Sequence, residues 1–167
     1  MSLTSMRKVI KVLVLDDEVS FLDLCKEFFQ REKCMLADFV SSPTQALEMA
    51  AEGDYQMIVS DHSLPGMDGL QFLRALRSLH RTMPFILLTG NGSEGLAIDA
   101  VQNGADFYMQ KAGDPSSMFS QLLKTVWALG DSDRVAECLS DPFQVYSKGN
   151  VLFVSNGGER VLAAASK

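Results

Sequence analysis

Four short apolar runs in this chain stop on residues that can do chemistry. Val9 to Leu15 ends at Asp16-Asp17, Met57-Ile58-Val59 leads to Asp61, Pro84 to Leu88 ends at Thr89, and Phe107-Tyr108-Met109 leads to Lys111. Runs of this length and aliphatic content suit strands buried on both faces. If the strands are parallel, their carboxyl ends meet at one crevice, the edge of an open α/β sheet where ligands bind. Three carboxylates brought together there repel, and each raises the cost of ionising the next unless a cation joins them. A hard divalent ion suits these oxygen donors, and Mg²⁺ needs only one or two carboxylates, a carbonyl and waters. Lys111 and Thr89 add a positive point charge and a hydroxyl donor, which suit a phosphoryl group. The spacings show no Ser-His-Asp arrangement, and alternation along the strand points His62 away from Asp61. An Asp carboxylate can itself be the nucleophile and form an acyl phosphate.

The elements between these runs have helical spacing. Phe21, Leu22, Leu24, Cys25, Phe28 and Phe29 share a face, and the helix they predict ends near Lys33. Met35 to Val40 reads as a weaker strand, and Ser42-Pro43 combines a cap with a first-turn proline before Ala46, Leu47, Met49 and Ala50. Gly53-Asp54 closes that helix. After Asp61, Leu64-Pro65-Gly66 makes a tight turn and Asp68-Gly69 opens a helix through Leu70, Phe72, Leu73, Leu76 and Leu79. Ser93-Glu94 starts a short helix stopped by Asn103-Gly104, and Asp114-Pro115 caps a last one through Met118, Phe119, Leu122, Leu123, Val126 and Trp127. Five strand-then-helix units with short links predict an α/β domain built on a five-stranded parallel sheet with right-handed crossovers.

Past Gly130 the pattern changes. Val135 to Leu139 reads as a short helix, Phe143 to Tyr146 and Val151 to Val154 as a hairpin, and Glu159 to Ala165 as a small Ala-rich helix. A segment this small cannot bury a core of its own, so it packs on the main domain, packs on a second copy, or is incomplete.

The chain's 167 residues suffice for one full α/β domain, and its 47% hydrophobic and 22% charged content is that of a globular protein. A net charge of −6 argues against direct nucleic-acid binding, because the basic surplus that displaces phosphate counterions is missing. No apolar run reaches the length of a membrane span and no signal-peptide core is present, so a cytoplasmic location is expected. Cys25, Cys34 and Cys138 lack metal-ligand spacing and are expected to be free thiols.

Asp16-Asp17, Asp61 with Pro65-Gly66-Met67-Asp68-Gly69, Thr89-Gly90, and Tyr108 three residues before Lys111 together resemble the receiver domain of two-component response regulators. The resemblance covers roughly Lys8 to Leu129, leaving 130–167 as a C-terminal extension. It implies a doubly wound, flavodoxin-like fold and a phosphorylation-dependent switch, with self-phosphorylation and slow self-dephosphorylation as the only catalysis. Asp61 is then the phosphoacceptor, charged by a histidine kinase or phosphotransfer protein. Asp17 is expected to ligate Mg²⁺ with Asp61 and the backbone carbonyl of Ser63, Asp16 to act through metal-bound water, and Lys111 to pair with phosphoryl oxygens. Thr89 is expected to move onto the aspartyl phosphate and let Tyr108 turn inward, remodelling the surface around the fourth helix and fifth strand for a downstream partner or a fused output domain. Ser63 and Asn91 occupy the positions that tune hydrolysis in the family, and Ser63 is too short to orient a water well. The family's lysine is usually followed by a cis-proline; here Ala112-Gly113 follows, so either Ala112 carries a strained cis bond or the loop takes another path.

Other readings compete. Gly90-Asn91-Gly92-Ser93-Glu94-Gly95 has the literal form of a dinucleotide-binding loop, but it follows the fourth strand and no acidic strand end lies about twenty residues beyond. The glycines are better read as a mobile loop beside Thr89. A Mg²⁺-dependent phosphohydrolase with an aspartyl-phosphate intermediate would use the same acids, but the haloacid dehalogenase type places a second Asp where Ser63 stands. A receiver-like module that is never phosphorylated is the third. The tail from Phe143 to Ala165 faintly resembles the opening of a PAS sensory domain, which suggests a fragment of a longer signalling protein; a tail that makes a homodimer contact is the alternative.

Overall fold

The apolar runs become strands and the periodic stretches become helices. The computed structural model describes residues 9–130 and the strands at 143–148, 151–156 and 159–164. In chain order the first part is β1 (Ile10–Leu15), α1 (Val19–Phe29), β2 (Met35–Val40), α2 (Pro43–Glu52), β3 (Met57–Asp61), α3 (Gly69–Ser78), β4 (Phe85–Thr89), α4 (Glu94–Gln102), β5 (Phe107–Gln110) and α5 (Pro115–Gly130). The five strands are parallel and lie in the order β2-β1-β3-β4-β5. Order reverses at β1, so the chain winds outward in both directions and leaves a crevice at the carboxyl ends of β1 and β3.

Alternation along the strands divides the core into two layers. Val12, Val14, Met57, Val59, Ile86, Leu88, Phe107 and Met109 face α1 and α5. Their neighbours Leu13, Leu15, Ile58, Phe85, Leu87 and Tyr108 face α2, α3 and α4. Both faces of β3 and β4 are buried throughout, which is why those strands read as unbroken apolar runs.

Helix ends follow the expected chemistry. Ser42 accepts from the Gln45 N–H, with Pro43 at the first turn of α2. Asp68 and Gln71 form a reciprocal capping box at the start of α3, a device worth about 1 kcal/mol. Ser93 caps α4 through the Leu96 N–H, and Asp114 accepts from the Ser117 N–H at the start of α5. Gly104, at φ 93°, turns the chain out of α4 in a conformation that disfavours a side chain. The first helix stops at Phe29, somewhat before Lys33.

In the extension, β6 (Phe143–Lys148) and β7 (Val151–Asn156) form the expected hairpin. Glu159 to Ala164 is not a helix but a strand, β8, antiparallel to β7 along its whole length. A single turn or two of helix is marginal whatever its Ala content, and the waiting β7 edge supplies a full ladder of hydrogen bonds. β8 also pairs antiparallel with β5 at Phe107, so the eight strands run β2-β1-β3-β4-β5-β8-β7-β6. The short helix expected at Val135 to Leu139 lies outside the described residues.

Candidate functional site

The crevice collects side chains from the ends of β1, β3 and β5. Asp16, Asp61 and Lys111 continue the strand parity that faces α1 and α5, so all three project to the same side of the sheet edge. Asp16 and Asp61 are 1% and 5% exposed, whereas Asp17, one residue on, is exposed. Lys111 Nζ bonds Asp61 Oδ1 at 2.9 Å and also bonds Asp16 Oδ2. The other Asp16 oxygen accepts from the Glu18 N–H at 2.9 Å. Each buried charge therefore has a partner, as burial demands.

Burial pushes the Asp16 carboxyl above its ordinary range, against the opposing pull of Lys111 and the Glu18 N–H. Burial alone would pull Lys111 down, but its hydrogen bonds to Asp16 and Asp61 hold it above the ordinary lysine value. A fully protonated ammonium shared by two carboxylates is the result. Oxygens of Asp16, Asp17 and Asp61 lie within 4.8 Å of one another, a hard-oxygen donor set open to solvent on the Asp17 side. These residues suit a divalent ion such as Mg²⁺.

The backbone holds Asp61 in place. The His62 N–H donates to Leu88 O at 2.8 Å, and its carbonyl accepts from the Gly69 N–H at 2.8 Å. Any Cβ at Gly69 would stand 2.5 Å from the Asp61 carbonyl oxygen and 2.9 Å from His62 Cα, so the start of α3 can approach the strand end this closely only as glycine. Ser63 is exposed on the turn that follows.

Thr89 and Tyr108 stand on the other parity, toward α4. Thr89 is buried, and its Oγ1 accepts from the Asn91 N–H at 3.2 Å. Tyr108 is buried in the layer against α3 and α4, and its hydroxyl accepts from the Ser93 N–H at 3.2 Å. The ring therefore occupies an inward position in this structure. Asn91 is exposed. At Gly92 a Cβ would fall 1.7 Å from Gln110 Nε2, so this glycine lets the loop after β4 pass tightly against the end of β5. Of the glycines that mimic a dinucleotide loop, Gly92 thus has a packing reason, whereas a Cβ at Gly90 would meet nothing within 4 Å.

No peptide bond among the described residues is cis, so the chain after Lys111 takes the other path: Ala112 is exposed and Gly113 turns at φ 81°. One neighbour of the site escaped the sequence reading. The Phe21 ring lies under Lys111, with Nζ 4.1 Å from its centroid. Nothing in its helical spacing set Phe21 apart from the other core residues of α1.

The family profile of the response regulator receiver domain matches residues 12–123, and the chain belongs to that family. It is 35% identical over 105 residues to the transcriptional regulatory protein SrrA of Staphylococcus aureus, a match covering 63% of this chain and 43% of that protein. The chain thus spans less than half the length of the curated relatives it matches. Among solved structures, the receiver domain of Francisella response regulator 1452 is similar with a TM-score of 0.67 and 26% identity, covering 74% of this chain and 98% of that one. The chemotaxis response regulator CheY4 of Vibrio cholerae is similar with a TM-score of 0.63 and 25% identity, covering 71% and 99%. The protein carries a receiver domain of two-component response regulators, with the five-stranded parallel sheet and five helices of that fold. No helix among the described residues is long and apolar enough to cross a membrane.

Proposed function

We propose that this chain is a phosphorylation-dependent switch in which Asp61 accepts a phosphoryl group. The observation that carries this reading is the ammonium of Lys111 bound to both Asp16 and Asp61, with Asp17 completing a cluster of three acids beside it. In the transfer, a carboxylate oxygen of Asp61 attacks phosphorus in line with the donor. The bond to the leaving group breaks and that group departs with its electron pair. Lys111 exchanges part of its contact with Asp61 for the arriving phosphoryl oxygens and offsets their charge. Asp16, Asp17 and Asp61, with the backbone carbonyl of Ser63, are the residues that would hold Mg²⁺, Asp17 and Asp61 directly and Asp16 through water. Bound there, the ion would neutralise negative charge as it gathers on the phosphoryl oxygens.

The donor is a histidine kinase or a phosphotransfer protein. Thr89 gives up the Asn91 N–H to bond the aspartyl phosphate, and Tyr108 follows between an outward position and the inward one it occupies here. A partner surface on α4 and β5 reads that change, whether on a separate protein, a fused output domain or a second copy. With Ser63 and Asn91 at the positions that tune hydrolysis, self-dephosphorylation is slow to moderate. On this reading residues 8–129 form the receiver unit and 130–167 an extension to it. The phosphohydrolase alternative lacks its second acid, since exposed Ser63 stands at that position. The test is incubation with acetyl phosphate and Mg²⁺: one stable phosphoryl group per chain supports the switch, and sustained turnover of a phosphomonoester would overturn it.

A further inference from the structure

Lys111 reaches the crevice from the end of β5, where its N–H donates to Thr89 O at 2.8 Å and fixes the backbone. The ammonium stands at the end of a flexible four-carbon stem, so its position depends on what the side chain touches. Two of those contacts are Asp16 and Asp61. The third is the face of Phe21, 4.1 Å from Nζ.

That ring is itself held. Phe21 is 8% exposed and stacks on Phe119 of α5 at 5.5 Å with 25° between planes. Phe119 stacks in turn on Phe28 of α1 at 4.4 Å and 12°. A column of three rings from two helices thus ends under the ammonium, and a cation over an aromatic face is drawn to it more strongly where water is excluded. The carboxylates pull the ammonium toward the acids, and the ring closes the side facing the core. Without the ring, the flexible lysine stem has room to leave its shared position.

We propose that Phe21 is a positioning residue for phosphoryl transfer, its ring holding the Lys111 ammonium where it meets the phosphoryl oxygens at Asp61. The inference rests on the proposed function. A purely structural role would need only apolar volume, which Leu or Met supplies. A positioning role needs the electron-rich face, which Tyr keeps.

The test measures the rate of phosphorylation by acetyl phosphate with Mg²⁺ in the full chain, for wild type, Phe21→Leu, Phe21→Met and Phe21→Tyr, with thermal midpoints for each. The Leu and Met variants are expected to slow by roughly 3- to 10-fold and the Tyr variant by no more than about twofold, the range that loss of one cation–π contact allows. Either apolar variant alone decides the matter if the other does not fold. On a Lys111→Met background, Phe21→Leu should slow the reaction no further, because the group it positions is gone. Apolar variants as fast as wild type, or an equal slowing with and without Lys111, would overturn the inference. A wild-type chain that takes no phosphoryl group at all would overturn the proposed function and the inference with it.

Discussion

Lys111 Nζ lies 2.9 Å from Asp61 Oδ1 and also bonds Asp16, so a single ammonium holds together two buried carboxylates from the ends of β1 and β3. The two strands are neighbours in the sheet, and Lys111 comes from β5 at the far side of β4. The contact therefore spans the crevice and ties its two walls.

Removing that ammonium should expose the repulsion it hides. Lys111→Met leaves two buried acids without their cation, and breaking such a pair typically costs about 3–5 kcal/mol. Thermal unfolding should show a lower midpoint for the variant. Added Mg²⁺ should raise the variant's midpoint more than the wild type's, because a bound cation can replace the missing charge. No rise in either midpoint with Mg²⁺ would argue against an ion among Asp16, Asp17 and Asp61.

Tyr108 tests the separation of chemistry from readout. Its hydroxyl accepts from the Ser93 N–H on the side of the sheet away from Asp61. Tyr108→Phe should leave phosphorylation intact and weaken the start of α4 by about 0.5–1.5 kcal/mol, the net value of one hydrogen bond. Hydrogen exchange should show faster exchange at the Ser93 amide in the variant. Loss of phosphorylation would place Tyr108 in the reaction itself.

The sequence carries the chemistry of the site more clearly than its support. Asp16, Asp61, Thr89 and Lys111 could be placed because each ends an apolar strand, and parallel strands bring their ends together. Phe21 could not, because a ring that packs in a core and a ring that faces an ammonium have the same helical spacing. Ala112-Gly113 signalled a departure after Lys111 without giving the path, which Gly113 takes at φ 81°. Glu159 to Ala164 misled in the opposite sense: local Ala-rich composition favours helix, and only the β7 edge, set by a hairpin earlier in the chain, makes it a strand.

Cys25 gives a pH test of the core beside the crevice. Burial, and then the charge of Asp16, push its thiol up to about 12 from an ordinary 9.0. The folded state thus keeps the proton where the unfolded chain loses it, and stability from this group falls as pH rises from 9.0 toward about 12. Alkylation of the native protein at pH 8 to 9, mapped by peptide mass, should label half-buried Cys34 and spare Cys25. In denaturant both should react. Ready labelling of native Cys25 would mean that this part of α1 opens.

The most direct test of the switch is the intact mass of the full chain after incubation with acetyl phosphate and Mg²⁺, compared between wild type and Asp61→Ala. One added phosphoryl group on the wild type, absent without Mg²⁺ and absent from a folded Asp61→Ala variant, is the predicted result. No adduct on the folded wild type, or an adduct that survives Asp61→Ala, would contradict it.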